Sequence, residues 1–577
     1  MTRSLKLILF SVGFLFAAIS LALEISPLSL TSFRLRKHLT SQENQQDKSF
    51  VFVIPSYNCS DVCERALQSI FSQDYPNFEV IYLDNGSTDF TNEVALEFKE
   101  QIKQDPRLKI IRHENRKGAV ERLYEQVHRL EDNKIVIYMK GNAWLKNDKV
   151  LSELNDLYKK HDIWLTYSGA DNIRNKKKQV CRTLLTRGFF SPLLRHQITG
   201  RPRFKTFYAS LFKAVKMEDF FFRGEFVDDR HDAAYFYPLL EMAGSHAIGM
   251  HASFCEFIQK DDLDTDRPSR KASLTCERRI RLAKSYEPLS ILPTPLSPEK
   301  ADLIIFSYNR PMQLWALLES IEKYMKGLES IYVLYRSSSE PFTKAFEEVK
   351  TAFPTVQFLQ QSDNPFHDFQ PITLDILFNK SKSDYILFAV DDMIMKDTVN
   401  LPDCLKILEE TKAYFFSLRL GKHIEYCYMG DFPEEVPHHL NLLGSFMAWQ
   451  IDAAQGDWMS AESVDMNIFR KSDLKEPLTT IQFRNPNDLE WLWSQYSKNK
   501  RTNRKRIGIA YQASKVVNIP MNLVNPSQNN NMNLFTAEEL LKKFQEGWKI
   551  SIDPLHQVEN PSVHFDYIPT FSPRKRD

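Results

Sequence analysis

The sequence predicts an α/β protein with two tandem, mostly parallel sheets, each flanked by helices, and three observations carry that prediction. Apolar strand-like runs alternate with helical patterns from residue 50 onward. The runs are continuously apolar, as in "FVFVI" at 50–54, which suits strands covered on both faces. The alternation then starts afresh at residue 301, after the proline-rich stretch "SILPTPLSPEK".

In chain order, the first series predicts a strand over 50–54, a helix over 61–71 and a strand over 78–83. A helix over 91–102, a strand over 108–112, a further helix and a strand over 135–139 follow. The second series runs through "DLIIF", "SIYVLY", "VQFL" and "YILFAV", with helical patterns between them. The two series share words as well as rhythm. "SYN" occurs at Ser56–Asn58 and again at Ser307–Asn309, each time after a strand, and each serine is followed thirteen residues later by a Ser-Ile pair. A shared triplet with a shared downstream spacing points to duplication. The resulting division is an amino-terminal segment 1–38, a polar linker 39–49, one α/β domain over 50–297 and a second over 298–577.

With 577 residues the chain is long enough for two large cores. Its net charge of +1 argues for no polyanionic partner, and no aromatic platform interleaves the basic run at 498–506, so nucleic acid is excluded as a partner. Seven cysteines without a CxxC pair give neither a disulfide framework nor a familiar zinc spacing. Arg3 and Lys6 precede an uncharged apolar run from Leu7 to Leu23. That run reads as a single-pass membrane anchor, or else a signal segment, and positive charges on both flanks leave its orientation open.

Ligands of an open parallel sheet bind beyond the carboxyl ends of its strands. In the first series those ends carry Pro55-Ser56-Tyr57-Asn58, "DNGSTD" at 84–89, "ENRKG" at 114–118 and "MKGN" at 139–142. The words "VIPSYN", "QDYPNFEVIYLDNGSTD" and "NRKG", in this order and spacing, resemble the family 2 glycosyltransferases with the GT-A fold; "FKTFYASLF" at 204–212 and "PLLEMAG" at 238–244 resemble the acceptor half of such enzymes. The resemblance implies a GT-A domain in the first half with a nucleotide-diphosphate sugar as donor, and the duplication extends the expectation to a second, GT-A-like domain. The resemblance further implies that Asp84 holds the base or ribose, that Pro55 and Tyr57 line the same pocket, and that Asn58, Ser87 and Asp89 belong to the donor loops.

One departure divides the two halves. Family members end the fourth strand in a D-x-D-type motif whose carboxylates hold Mn²⁺ or Mg²⁺, whereas here Lys140, Asn142 and Ala143 stand at that place. A hard cation wants anionic oxygen ligands, and a lysine repels it. Either Lys140 itself neutralises the diphosphate in a metal-free site, or the first domain has lost catalysis and supports the second; the latter is favoured. The second series ends its fourth strand in Asp391 and Asp392. Successive strand residues point to opposite faces, so the pair converges only if the strand gives way there to a turn. Asp391 and Asp392 are the expected metal ligands, with His564 of "VHFDY" as a late third. Ser307, Tyr308, Asn309 and Asp391 are expected around the donor, and Arg310 and Arg336 at its diphosphate, because a guanidinium matches phosphate geometry. Asp465 and Glu490 are the candidate catalytic bases, and Trp491 and Trp493 a candidate sugar platform. The acids Asp228, Asp229 and Asp232 read as a solvated loop.

The sequence thus predicts a membrane-associated glycosyltransferase that acts on a glycan, lipid or protein hydroxyl, with its metal site in the second domain. The alternatives are a bifunctional transferase whose first domain works without metal, and a catalytically silent nucleotide- or carbohydrate-binding scaffold.

Overall fold

The computed structural model describes residues 46–172, 177–179, 195, 202–228, 231–250, 253–258, 270–294, 298–362, 364–500, 506–522 and 534–574. Its first sheet is built from β1 (Phe50–Ser56), β2 (Phe78–Asn85), β3 (Leu108–His113), β4 (Ile135–Tyr138), β5 (Leu165–Ser168), β6 (Phe204–Tyr208) and β7 (Ala247–Met250). The spatial order is β3-β2-β1-β4-β6-β5-β7. The first four strands are mutually parallel, β6 runs antiparallel to both of its neighbours, and β7 is again parallel to β5. Helices α1 (Cys63–Phe71), α2 (Thr91–Gln101) and α3 (Ala119–Val127) make the crossovers.

The second sheet comprises β8 (Ala301–Tyr308), β9 (Leu328–Arg336), β10 (Gln357–Gln360), β11 (Tyr385–Val390), β12 (Phe415–Ser417), β13 (His439–Leu442), β14 (Phe446–Gln450), β15 (Asn467–Arg470) and β16 (Ile507–Tyr511). Its order, β10-β9-β8-β11-β15-β12-β16, repeats that of the first sheet strand for strand and sense for sense. The β13–β14 hairpin is an insertion that extends the far edge. The first crossover is α4 (Pro311–Tyr324), with Pro311 at the helix start, where its fixed φ and missing N–H cost nothing.

Alternation along the strands divides the apolar side chains between layers. Val51 and Val53 face one cluster, while Phe50, Phe52 and Ile54 face another. Leu303 and Ile305 of β8 enter the same cluster as Val51 and Val53, and Ile304 and Phe306 enter a third. One continuous core therefore runs between the two sheets, and each sheet has a private core on its outer face. Full coverage of both faces explains why these strands are uninterrupted apolar runs.

The repeated words occupy equivalent structural positions. Asn58 and Asn309 both have left-handed backbones, with φ of 50° and 55°, a conformation asparagine tolerates better than most residues. Each clasps the loop after the neighbouring strand: Thr88 N donates to Asn58 Oδ1 at 2.9 Å, and Ser338 N to Asn309 Oδ1 at 2.9 Å. The Ser-Ile serines match as well. Ser69 Oγ accepts Leu145 N, and Ser320 Oγ accepts Met395 N, both at 3.0 Å. Leu145 and Met395 end the equivalent short strands Ala143–Leu145 and Met393–Met395.

The expected single-pass membrane anchor requires correction. Among the described residues, no helix is long and apolar enough to cross a membrane. The run from Leu7 to Leu23, on which the expectation rested, lies outside the described residues, as do most of the linker 39–49, Asp229 and residues 501–505.

Gly141 packs directly against Ser56 at the end of β1. A Cβ there would lie 2.1 Å from Ser56 Oγ and 2.9 Å from Ser56 Cα, so the backbone itself would have to move. Gly141→Ala is expected to cost about 1–3 kcal/mol, read as a lowered urea midpoint; an unchanged midpoint would show that the two segments separate freely.

Candidate functional site

The short-strand equivalence sets the register of the two strand ends. Ala143 aligns with Met393, so Gly141 and Asn142 occupy the places of Asp391 and Asp392, and Lys140 that of Val390. The backbone agrees: Ile258 N donates to Asn142 O at 3.1 Å, and Ile519 N to Asp392 O at 2.9 Å. In the first half Gly141 N donates to Pro55 O at 3.0 Å, and the Asn142 side chain donates to Ile258 O at 2.8 Å. Neither acid position therefore carries a carboxylate. Lys140 is half-buried, and its ammonium makes no hydrogen bond or ion pair among the described residues.

The other donor-loop candidates of the first half divide into two kinds. Asp84 is buried at the end of β2; its Oδ1 accepts Ser87 N at 3.0 Å, while Oδ2 has no hydrogen-bond partner and lies 3.7 Å from Arg112 Nε. The Tyr57 ring lies under the Arg116 guanidinium at 3.8 Å. The remaining candidates hold the loops together. Ser87 Oγ accepts Asn58 N at 3.0 Å. Asp89 accepts from Ser60 Oγ at 2.8 Å and from Thr91 N at 3.0 Å. Burial would raise the Asp89 pKa, but those hydrogen bonds outweigh it and the value falls. Asn58, Ser87 and Asp89, expected at the donor, are thus spent on loop structure, because short polar side chains at strand ends satisfy the backbone of the turns they sit in.

In the second half the acid pair converges as the turn requires. Arg310 Nη1 donates to Asp391 Oδ1 and to Asp392 Oδ2, each at 3.0 Å, and Nη2 donates to Asn522 O at 2.6 Å. Ser307 Oγ and Tyr308 N donate to the other oxygen of Asp391, at 2.8 and 3.2 Å. Arg310 is 8% exposed and Asp391 3%. Arg310, expected at a diphosphate, is instead the counter-ion of the acid pair. Asp391, expected as a metal ligand, has both oxygens engaged. Burial raises the pKa of both aspartates although Arg310 pulls them down.

Asp392 differs from its neighbour in keeping Oδ1 without a partner, and His564 Nδ1 is likewise buried and unpartnered. The fold brings the two together through Asn518, which forms a bridge with His564 next to Ile519, the residue that binds the Asp392 carbonyl. Asp391, Asp392 and His564 do not, however, form a trio of ligand atoms within 4.8 Å of one another; among the described residues only Cys427, Glu434 and Asp457 do. Asn309 is used by its clasp on Ser338, and Arg336 lies 5.1 Å over the Tyr308 ring.

Asp465 and Glu490 are brought to one place. Glu490, on α5 (Pro486–Asn499), accepts from Ser463 Oγ at 2.8 Å and Val464 N at 2.7 Å. Burial, and then the Asp465 carboxylate, lift Glu490 to about 7. Asp465 lies 3.6 Å from Arg419 Nη1, which is also 3.7 Å from Asp457. Arg419, Asp457 and Ser463 escaped the sequence reading because no motif surrounds them; Arg419, two residues beyond β12, offered only a strand-end position. Trp493 is core and packs on Phe469, while Trp491 is 63% exposed, so they do not form one platform. Asp228 pairs with His231 at 2.6 Å and Asp232 with Lys205 at 2.8 Å, so neither is a freely solvated acid.

Parallel strands in the 3-2-1-4 order, with polar residues gathered where β1 and β4 diverge, define a doubly wound α/β sheet of the kind whose ligands bind at that divergence. Residues 51–209 match the model of the family described as "Glycosyl transferase family 2". Among curated proteins, the chain is similar to the bifunctional glycosyltransferase pgtA of Dictyostelium discoideum, 25% identical over 196 residues that cover 31% of this chain and 25% of that protein. It is also similar to the poly-beta-1,6-N-acetyl-D-glucosamine synthase of Staphylococcus epidermidis, 28% identical over 138 residues, covering 24% of this chain and 32% of that protein. The chain thus spans a third or less of the length of these relatives. Among solved structures, S. aureus TarS 1–349 in complex with UDP-GlcNAc has a TM-score of 0.31 at 16% identity, covering 40% of this chain and 65% of that one. The mannosyltransferase PcManGT from Pyrobaculum calidifontis, with GDP-Man and Mn²⁺, has a TM-score of 0.28 at 16% identity, covering 44% and 73%.

Two consequences of this geometry are measurable. Removing the Arg310 charge leaves two buried carboxylates uncompensated, so Arg310→Met is expected to cost about 3–5 kcal/mol in urea unfolding. The triple variant that adds Asp391→Asn and Asp392→Asn should recover most of that loss. Glu490 holds its proton to about 7 when folded but to only 4.5 ordinarily, so the folded state binds more protons in that window and stability falls as pH rises through it. Glu490→Gln should flatten that part of the stability–pH curve; an unchanged slope would assign it to other groups.

Proposed function

We propose that the protein is a glycosyltransferase that moves a sugar from a nucleotide-diphosphate donor to a hydroxyl acceptor, with its reacting centre in a second GT-A-type domain after residue 298. The observation that carries this reading is the placement of Asp391 and Asp392. They stand at the divergence of β8 and β11, in a sheet whose order repeats that of the family-matched half, where the equivalent residues are Gly141 and Asn142. On this reading the first domain has lost the metal chemistry, and it keeps Asp84, whose Oδ2 accepts no hydrogen bond and faces Arg112, for a nucleoside.

The donor set fits a divalent cation of the Mn²⁺ or Mg²⁺ kind. Asp392 Oδ1 and His564 Nδ1 are buried polar atoms without partners, which is costly unless a ligand satisfies them. Asp392 and His564 would hold the ion, with the remaining coordination left to donor oxygens and water; Asp391 would keep Asp392 and Arg310 in place. When bound, the ion supplies positive charge against the departing diphosphate.

In the reaction, the bond from the anomeric carbon to the diphosphate oxygen breaks and a bond to the acceptor oxygen forms. The acceptor proton passes to a carboxylate, for which Glu490 is suited by a pKa near 7 and Asp465 by its position beside it. Arg419 holds Asp465 in register. If Glu490 is the base, the transfer rate rises with pH through about 7, and Glu490→Gln lowers it by roughly 10²–10⁴-fold.

The decisive experiment titrates UDP- and GDP-sugars, with and without Mn²⁺, into the full chain and into its Asp392→Ala and Lys140→Ala variants. Donor binding that strengthens with Mn²⁺ and loses that gain only in Asp392→Ala supports the assignment. Binding that ignores Mn²⁺ and Asp392 but fails in Lys140→Ala would place the donor in the first domain. Binding without transfer or donor hydrolysis would indicate a silent scaffold.

A further inference from the structure

The second half contains a group of donor atoms that sugar transfer does not use. Cys427, Glu434 and Asp457 each offer one ligand atom, and these atoms lie within 4.8 Å of one another. The three residues are 7%, 3% and 7% exposed. Cys427 ends the strand Tyr426–Cys427, which pairs antiparallel with Phe432–Pro433, so Glu434 follows directly on the returning arm of the hairpin. Asp457 comes from the short 3₁₀ turn Gly456–Met459, and its N–H donates to Glu434 Oε2 at 2.8 Å.

A second observation, beyond the clustering itself, points to a ligand here. Glu434 Oε1 and Asp457 Oδ2 are buried without a hydrogen-bond partner, and both belong to residues more than nine-tenths buried. Gly456, with φ +57°, lets the Glu434 carboxylate close directly on the turn: a Cβ there would lie 2.0 Å from Glu434 Oε2 and 3.2 Å from Cys427 Cβ. Among the described residues the opposing charge beside Asp457 is Arg419, at 3.7 Å, and it is shared with Asp465.

We infer that Cys427, Glu434 and Asp457 form a binding site for a zinc-type divalent cation, separate from the donor site. One thiolate and two carboxylates suit zinc, which accepts S and O ligands in a tetrahedral set, and leave a fourth position for water. Magnesium and calcium prefer oxygen alone. Binding requires the Cys427 thiol to give up its proton to solvent. The ion pins the hairpin to the 3₁₀ turn and draws the charge of Asp457 away from Arg419, leaving that guanidinium to Asp465. It also fixes Tyr428, whose ring lies 5.8 Å from that of His564.

The test loads the full chain with Zn²⁺ or Co²⁺, removes the excess by dialysis, and measures metal content together with the thiolate-to-cobalt charge-transfer absorption. The expected result is a retained metal with a thiolate band that Cys427→Ser abolishes and that the donor-site variant Asp392→Ala leaves in place. Asp457→Asn, which keeps the side-chain shape, should weaken retention roughly 10-fold or more, and it carries the test should Cys427→Ser fail to fold. A cobalt complex without a thiolate band, or a band indifferent to Cys427 and Asp457, would overturn the assignment.

Discussion

Two adjacent carboxylates at the end of a strand buried on both faces repel each other and lose hydration, so they need a cation within hydrogen-bonding distance. Arg310 meets that need, and much of the second half is arranged to hold it there. The residue before it, Asn309, takes the left-handed conformation that turns the chain from β8 into α4 and is clasped to Ser338. Ser307 and the Tyr308 amide fix the far oxygen of Asp391, and Asn522 O accepts from Arg310 Nη2. The result leaves one oxygen, Asp392 Oδ1, free of partners at the strand end.

The same scaffold in the first half shows what happens when that constraint is lifted. With Gly141 in place of Asp391, no carboxylate reaches Ser56, and the Ser56 side chain occupies the space that a Cβ at residue 141 would take. The loss is not one-sided. Asp84, the acid at the end of β2, has Tyr335 as its counterpart at the end of β9, opposite Ser307 in the register, and that hydroxyl donates to Gln360. Each half therefore carries a strand-end acid at a position where the other has none. The shared core between the sheets keeps both halves folded while their strand ends diverge.

Charge is the standing tension of the second half. Asp391, Asp392, Asp465, Glu490, Asp457 and Glu434 lie in one connected region whose resident guanidiniums are Arg310 and Arg419. A region with that excess of acids either retains protons, as the raised pKa of Glu490 and the lift of Glu434 to about 7 indicate, or binds cations. Proton retention makes the charge of this region depend on pH near 7.

From the sequence alone, the alternation of apolar runs and helical patterns determined the parallel α/β architecture, because coverage of both sheet faces writes itself into uninterrupted strands such as "FVFVI". The duplicated "SYN" and Ser-Ile words likewise marked equivalent turns, since only a few residue types suit a left-handed backbone or a helix serine that caps a neighbouring strand. What the acids and cations do to one another was decided only in three dimensions. A lone Arg310 in sequence reads as a phosphate contact, and only its approach to Asp391 and Asp392 makes it their counter-ion. Cys427, Glu434 and Asp457 carry no recognisable spacing, because a hairpin and a distant 3₁₀ turn, not a contiguous motif, bring them together. Local backbone preference and side-chain burial are legible along the chain; partnership between charges depends on distances that only the folded chain sets.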